Sequence, residues 1–243
     1  MRIKIILPIT QDFFDKRQLE VAEQYAAEST EITCIHLQKG PETIESQVDN
    51  AFAVPGILEE VKKAEDEGYD GVFISCIGDP GLKAAREAAN IPVVGAAETA
   101  MIFASSIAQR FSVITVLPSL APLIEDHAKL LGVREKLASI RNINVGVADI
   151  NAARESGQAS ESLYKESIKA IENDGAHALV LGGTCMAGVG PDLEKKLREI
   201  NGYDIPIIDS GIVPVKFLEA LVSLGLTQSK LTYMTPAKKE RTT

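Results

Sequence analysis

The 243-residue chain is short of several things, and each shortage narrows what it can do. It has three cysteines, Cys34, Cys76 and Cys185, an odd number with no CxxC spacing. That argues against a disulfide framework and against a zinc cluster. Positive charge is scarce: 25 Lys and Arg face 34 Asp and Glu, for a net charge of −9. A chain of that sign is a poor match for nucleic-acid phosphates, so no nucleic-acid partner is expected. No apolar run approaches the ~18 residues of a membrane span, so no membrane partner is expected. GxGxxG and P-loop lysine patterns are missing, although Gly182-Gly183-Thr184 offers a small turn that could cradle an anion. His36, His127 and His177 are scattered without partner spacing, so no metal site is expected. The opening Met1–Pro8 stretch reads as a first strand rather than a secretory signal, which points to a cytoplasmic chain. What is present is an ordinary globular balance, 45% hydrophobic and 24% charged, over a length that suits one large domain or two small lobes.

Short apolar runs alternate with helical spacing. Strands are predicted at 3–7, 31–36, 71–75 and 91–94, with helices at 17–27, 56–67 and 80–89 between them. Asp79 suits a helix N-cap and Pro80 the first helical position. The order is βαβα, the signature of a parallel sheet covered by helices. The pattern then restarts, with strands at 110–115, 144–147, 178–181 and 205–208 and helices at about 120–131, 161–173 and 190–200. The tail, 235–243, is polar and charged and is expected to fray.

The restart is an internal repeat. Arg2 and Arg110, Gly68 and Gly175, and Cys76 and Cys185 are three pairs separated by nearly the same stretch of chain. Ile91-Pro92-Val93 and Ile205-Pro206-Ile207 stand only slightly further apart. These offsets predict an α/β protein of two pseudo-symmetric lobes, each a short parallel sheet flanked by helices, with the active site in the cleft between them. The first lobe takes residues 1–97 and 209–243, the second 98–208. The competing architecture is one long doubly wound sheet.

Ligands of open parallel sheets bind outside the carboxyl ends of the strands. Cys76 and Cys185 both lie just past predicted strand ends, beside glycine turns and ahead of helix N-termini, where backbone N–H groups favour a thiolate. The competing account is that each is a small buried apolar side chain. Cys34, mid-strand with no glycine turn, is read as structural. Two opposed thiols suit inversion of a stereocentre. One removes a proton to leave a planar enolate, and the other returns a proton to the far face. A thiol pKa of ~8.5, lowered at a helix N-terminus, makes both protonation states accessible near neutrality.

These residues resemble the aspartate/glutamate racemase superfamily, and within it the hydantoin and allantoin racemase branch. The resemblance rests on Gly40-Pro41-Glu42-Thr43-Ile44-Glu45-Ser46, on Tyr69-Asp70-Gly71-Val72-Phe73-Ile74-Ser75-Cys76-Ile77-Gly78-Asp79-Pro80-Gly81-Leu82 and on Pro92-Val93-Val94-Gly95 with Glu98. Arg110-Phe111-Ser112-Val113-Ile114-Thr115 and Ala178-Leu179-Val180-Leu181-Gly182 continue it. It implies a cofactor-independent enzyme with a small-molecule substrate, in which Cys76 and Cys185 act as opposed acid and base. A homo-oligomer is expected as well. Ile9, Thr10, Ser75, Ile77, Thr115, Gly183 and Thr184 are the expected substrate-binding residues, with Thr115 placed opposite Thr10 by the repeat.

The chain departs from the branch twice. The second cysteine usually follows directly on the strand-end Leu-Gly; here Gly183 holds that place and Cys185 comes two residues later. An extended two-residue step moves a thiol by ~6–7 Å, so the loop from Met186 to Gly190 is expected to curl and return the sulfur. The branch commonly has Pro-Asn-Thr after the first strand, whereas this chain has Pro8-Ile9-Thr10. The departures keep two further readings open: a one-cysteine decarboxylase or cis–trans isomerase of a small diacid, and a ligand-binding relative without catalysis.

Overall fold

The computed structural model describes residues 1–237 and 239, so the expectation for the 235–243 tail lies largely outside the described residues. The chain divides into two compact units, Met1–Gly95 with the segment from Pro214 onward, and Ala96–Val213. In the first unit the order is β1 (Arg2–Leu7), α1 (Asp15–Tyr25), β2 (Glu31–His36), α2 (Gln47–Asp66), β3 (Gly71–Ile74), α3 (Leu82–Ala88) and β4 (Val93–Gly95). The second runs α4 (Ala96–Ile107), β5 (Phe111–Thr115), α5 (Ala121–Leu130), β6 (Leu137–Asn142), α6 (Ile150–Glu155), α7 (Gln158–Glu172), β7 (Ala178–Gly182), α8 (Gly190–Asn201) and β8 (Ile207–Asp209). Helix α9 (Val213–Ser223) then returns to the first unit.

Each unit is built on its own four-stranded parallel sheet, in the orders β2-β1-β3-β4 and β6-β5-β7-β8. The repeat is therefore one topology used twice. Inner strands β3 and β7 are buried at every position, as expected of strands covered on both faces, whereas edge strand β2 is half-buried along most of its length. The repeat also extends to single bonds. Arg2 Nη1 donates to the Glu67 carbonyl at the end of α2 at 2.8 Å, and Arg110 Nη2 donates to the Asp174 carbonyl beyond α7 at the same distance. Both guanidinium groups satisfy carbonyls that a helix end leaves without an intrahelical partner.

Several elements differ from the sequence expectation, each for a local reason. Helix α2 starts at Gln47 rather than 56 because Ser46 caps it: its hydroxyl accepts from Asp49 N and donates to the Asp49 carboxylate. The expected strand at 144–147 is irregular, and the edge strand lies at Leu137–Asn142 instead. Asn144 has φ +55, which breaks the extended run, although Ile143 N and Val145 N still donate to the Thr115 and Val116 carbonyls. Helix α3 begins at Leu82, with Gly81 rather than Asp79 at its N-cap. Helix α4, AAETAMIFASSI, carries no charge but Glu98 and shows little polar–apolar stripe, so the coarse pattern leaves it unassigned, as it does α9. Residues 96–97 and 209–213, expected in the first lobe, belong to the second unit, where Asp209 pairs with Leu181 in the β7–β8 ladder.

Among the described residues, no helix is long and apolar enough to cross a membrane.

Candidate active site

In the first unit the ladder between β1 and β3 continues one residue past β3, where Ser75 N donates to the Ile6 carbonyl at 2.9 Å. Cys76 is the next residue, and it is the one position between 71 and 80 that is not fully buried. Its sulfur accepts the Gly78 N–H at 3.4 Å. A backbone donor aimed at the sulfur favours the thiolate over the thiol. Gly78 is fixed in turn by Asn50 of α2, whose Nδ2 donates to its carbonyl at 3.3 Å. A side chain at 78 would displace the Asn50 amide, because its Cβ would stand 2.5 Å from Asn50 Oδ1.

The expected binding residues of this unit gather at the same carboxyl end of the sheet. Ile9 is buried, and its carbonyl accepts Leu37 N. Thr10 gives both N–H and hydroxyl to the Pro41 carbonyl, at 2.9 and 3.3 Å, which ties the Pro-Ile-Thr turn to the Gly40–Ser46 segment. Ser75 and Ile77 flank the thiol and are buried. Asp79 is buried with φ +41, and its carboxylate fills the space over Gly95 instead of capping α3.

In the second unit Ile114 pairs with Leu181 and Thr115 with Gly182. Gly182 is thus the counterpart of Ser75, and Gly183 the counterpart of Cys76. Thr115 matches Leu7, not Thr10, because the correspondence of Arg2 with Arg110 carries Leu7 onto Thr115. Thr115 is fully buried and donates its hydroxyl to the Gly182 carbonyl at 2.7 Å, clamping the end of β7. Beyond Gly183 the chain makes a tight 3₁₀ turn, Thr184–Met186, closed by Met186 N to the Gly183 carbonyl and Ala187 N to the Thr184 carbonyl, both at 2.9 Å.

The turn decides where the second thiol goes. A Cβ built on Gly183 would stand 3.3 Å from Cys185 Sγ. The sulfur therefore lies beside the place that a side chain at residue 183 would take, rather than the ~6–7 Å away that an extended step allows. A 3₁₀ turn advances only ~2 Å per residue, so the two extra residues carry the chain little more than half as far as an extended step would. Cys185 is buried, and Thr184 is half-buried beside it. Arg154 of α6 reaches the same turn, with Nη2 3.4 Å from the Ala187 carbonyl.

Cys34 lies within edge strand β2, paired with Ile5. Burial, reinforced by the nearby Asp15 carboxylate, pushes its thiol up to about 12. Such a thiol stays protonated and inert at ordinary pH. Three polar residues that position the cysteine turns, Asn50, Arg154 and Asp209, went unnoticed in the sequence because each comes from an element remote from the turn it touches.

The sequence matches the Asp/Glu/Hydantoin racemase family over residues 6–218, and the chain belongs to that family. It is an isomerase of the racemase class, and its relatives place it in the hydantoin and allantoin racemase branch. It is 42% identical to a hydantoin racemase of Pseudomonas sp. (strain NS671) over 241 residues, covering 99% of this chain and 94% of that one. A hydantoin racemase of Paenarthrobacter aurescens is 34% identical over 242 residues, covering 99% of both. Among solved structures, an allantoin racemase from Klebsiella pneumoniae superposes with a TM-score of 0.93 at 35% identity, covering 100% of this chain and 96% of that one. A glutamate racemase isoform from Bacillus anthracis, at 16% identity and a TM-score of 0.64 over 96% of this chain and 90% of that one, shares the fold.

Proposed function

We propose that the chain inverts the carbon stereocentre of a hydantoin-like ring, or of a closely related carbonyl compound, by proton transfer between Cys76 and Cys185 without a cofactor. The names of the relatives support the substrate class. The observation that carries the mechanism is the Cys185 sulfur 3.3 Å from the empty Cβ place of Gly183, the register counterpart of Cys76. That proximity supports a thiol serving each of the two matching places, after β3 and after β7.

In the forward direction one thiolate takes the proton from the carbon next to the carbonyl, and the C–H electron pair moves into the enolate. The other thiol delivers its proton to the opposite face and becomes the thiolate. No net proton is consumed, and the enzyme is left ready for the reverse reaction. The Gly78 N–H on Cys76 Sγ stabilises the thiolate on its side.

Inversion in deuterium oxide tests this. The product should carry solvent deuterium at the inverted carbon, and Cys76→Ser and Cys185→Ser should each lower turnover by about 10²–10⁴. Full activity in Cys185→Ser, with Cys76→Ser inactive, would leave a one-thiol reaction in place of the two-thiol one.

A further inference from the structure

Each unit carries a buried carboxylate placed between the loop following its cysteine and the end of its fourth strand. In the second unit this is Asp209, the last residue of β8, which is 6% exposed. Its Oδ2 accepts Gly188 N at 2.7 Å, and its Oδ1 accepts Gly211 N at 2.8 Å. Gly188 lies three residues beyond Cys185 and has φ +81. In the first unit the acid is Asp79, also 6% exposed, three residues beyond Cys76. Its carboxylate covers Gly95, the last residue of β4: a Cβ on residue 95 would stand 2.4 Å from Asp79 Cγ.

The two arrangements are reciprocal. Asp79 and Gly188 share the offset of Cys76 and Cys185, and Gly95 and Asp209 share the offset of the Ile-Pro pairs. Acid and glycine have exchanged places between the loop and the strand end. Where one side supplies the carboxylate, the other is glycine. In the first unit the reason is visible: the space over residue 95 is already filled by Asp79.

We propose that Asp209 is a positioning residue for Cys185, and Asp79 its counterpart for Cys76, each holding the thiol-bearing turn against the carboxyl end of its sheet. A buried carboxylate is costly unless donors meet both oxygens. Asp209 meets that need with the two N–H groups it joins, so the loop at Gly188 cannot leave β8 without leaving a buried charge short of a partner. This inference rests on Cys185 being the second base only for its effect on turnover. Its effect on the thiol itself does not depend on the reaction.

The test uses the whole chain and follows iodoacetamide alkylation at each cysteine by peptide mass spectrometry, alongside turnover. Asp209→Gly releases the turn that keeps Cys185 buried. Its alkylation should rise at least tenfold while kcat falls at least tenfold, with Cys76 alkylation within twofold of the parent. The exchanged pair Gly188→Asp with Asp209→Gly rebuilds in the second unit the arrangement of the first. Aspartate tolerates the left-handed conformation that residue 188 requires, so this variant should bring the Cys185 rate back toward the parent. Asp209→Asn keeps one acceptor and should fall between, which covers the case in which the glycine variant does not fold. An unchanged Cys185 rate in a folded Asp209 variant overturns the proposal, and so does an equal rise at Cys76 and Cys185. If racemisation proves not to use Cys185, turnover will be indifferent while the alkylation pattern still holds.

Discussion

The residue that follows the β3 ladder is Cys76, and the residue at the same register after β7 is Gly183, with the thiol arriving two positions later. The first unit presents its sulfur from a turn closed by Asp79 N on the Cys76 carbonyl, and Gly78 N reaches the sulfur at 3.4 Å. The second curls a 3₁₀ turn so that the later cysteine fills the neighbourhood of the missing side chain. A similar substitution of means occurs elsewhere in the two sheets. Lys4 of β1 is buried and bonds Glu67 at 2.8 Å. Its repeat counterpart Ser112 bonds Ser139 at 2.8 Å and leaves the charged tie to Arg141 and Asp174 at 2.6 Å. The β1–β3 and β5–β7 ladders share one register, and the side chains that serve a given place can come from different positions. On the proposed mechanism, what matters is where a sulfur stands rather than which residue number carries it.

The strongest way to break the comparison is to remove either sulfur. Cys76→Ser and Cys185→Ser should each lower kcat/KM by about 10²–10⁴, the usual worth of a positioned acid–base group, measured as loss of optical rotation change in the racemisation. A large effect at Cys76 with none at Cys185 would show that only the first turn carries an acid–base thiol.

Next in size is the exchange of position within the second unit. Gly183 has φ −179, an extended backbone open to any residue, so Gly183→Cys is not barred by strain. Cys185→Gly alone should be inactive. Gly183→Cys combined with Cys185→Gly should restore activity to within about tenfold of the parent, because the new sulfur starts from a Cβ 3.3 Å from the old one. If the double variant is as dead as the single, the turn supplies something beyond a sulfur in the right place. Gly183→Ala crowds Cys185 Sγ at that same 3.3 Å, and a smaller loss, several-fold in kcat, is expected.

Much of this was legible in the chain. The period of the apolar runs and the near-constant offsets of the repeat pointed to two parallel-sheet units, because buried inner strands such as 71–74 and 178–182 are nearly unbroken apolar runs. The edge strand Leu137–Asn142 is hard to read in the sequence because, half-buried and mixed in composition, it carries no clean alternation. Cys76 announced itself through the Gly-Asp-Pro-Gly turn. The route by which Cys185 comes back could be anticipated only as a curl, since a 3₁₀ turn leaves no strong pattern in three residues. Asp209 stayed hidden for a different reason: an acid and a glycine that trade places across a repeat appear as two mismatches when the halves are aligned.

A milder contrast concerns the charged ties of the second unit. The hydrogen bonds from Arg141 hold the Asp174 carboxyl below its ordinary range. The unfolded chain takes up a proton there at higher pH than the folded one, so this contribution is present above the ordinary carboxyl pKa and is lost as pH falls through the folded value. Asp174→Asn should lower Tm by a few degrees at pH 7, given ~2–4 °C per kcal/mol for a protein of this size. The deficit should shrink toward acid pH in calorimetric scans. A deficit that stays constant with pH would assign the effect to packing rather than to charge.

The smallest effect on activity is expected at Cys34, the thiol that serves neither turn. Cys34→Val should leave kcat within about twofold, and Cys34 should resist alkylation at pH 8 while Cys76 reacts, since its folded value is about 12. Stability carries the clearer mark. Between the unfolded thiol's ordinary value and about 12, the unfolded chain releases a proton that the folded chain keeps. The Cys34 contribution to stability is therefore intact below the ordinary thiol value and falls as pH rises, by about 1.4 kcal/mol per pH unit for one proton. Urea unfolding of the parent and of Cys34→Val across pH 8 to 11 should diverge in slope by about that amount, with the parent falling faster. Parallel slopes would mean that the strand position leaves this thiol titrating as it does in the unfolded chain.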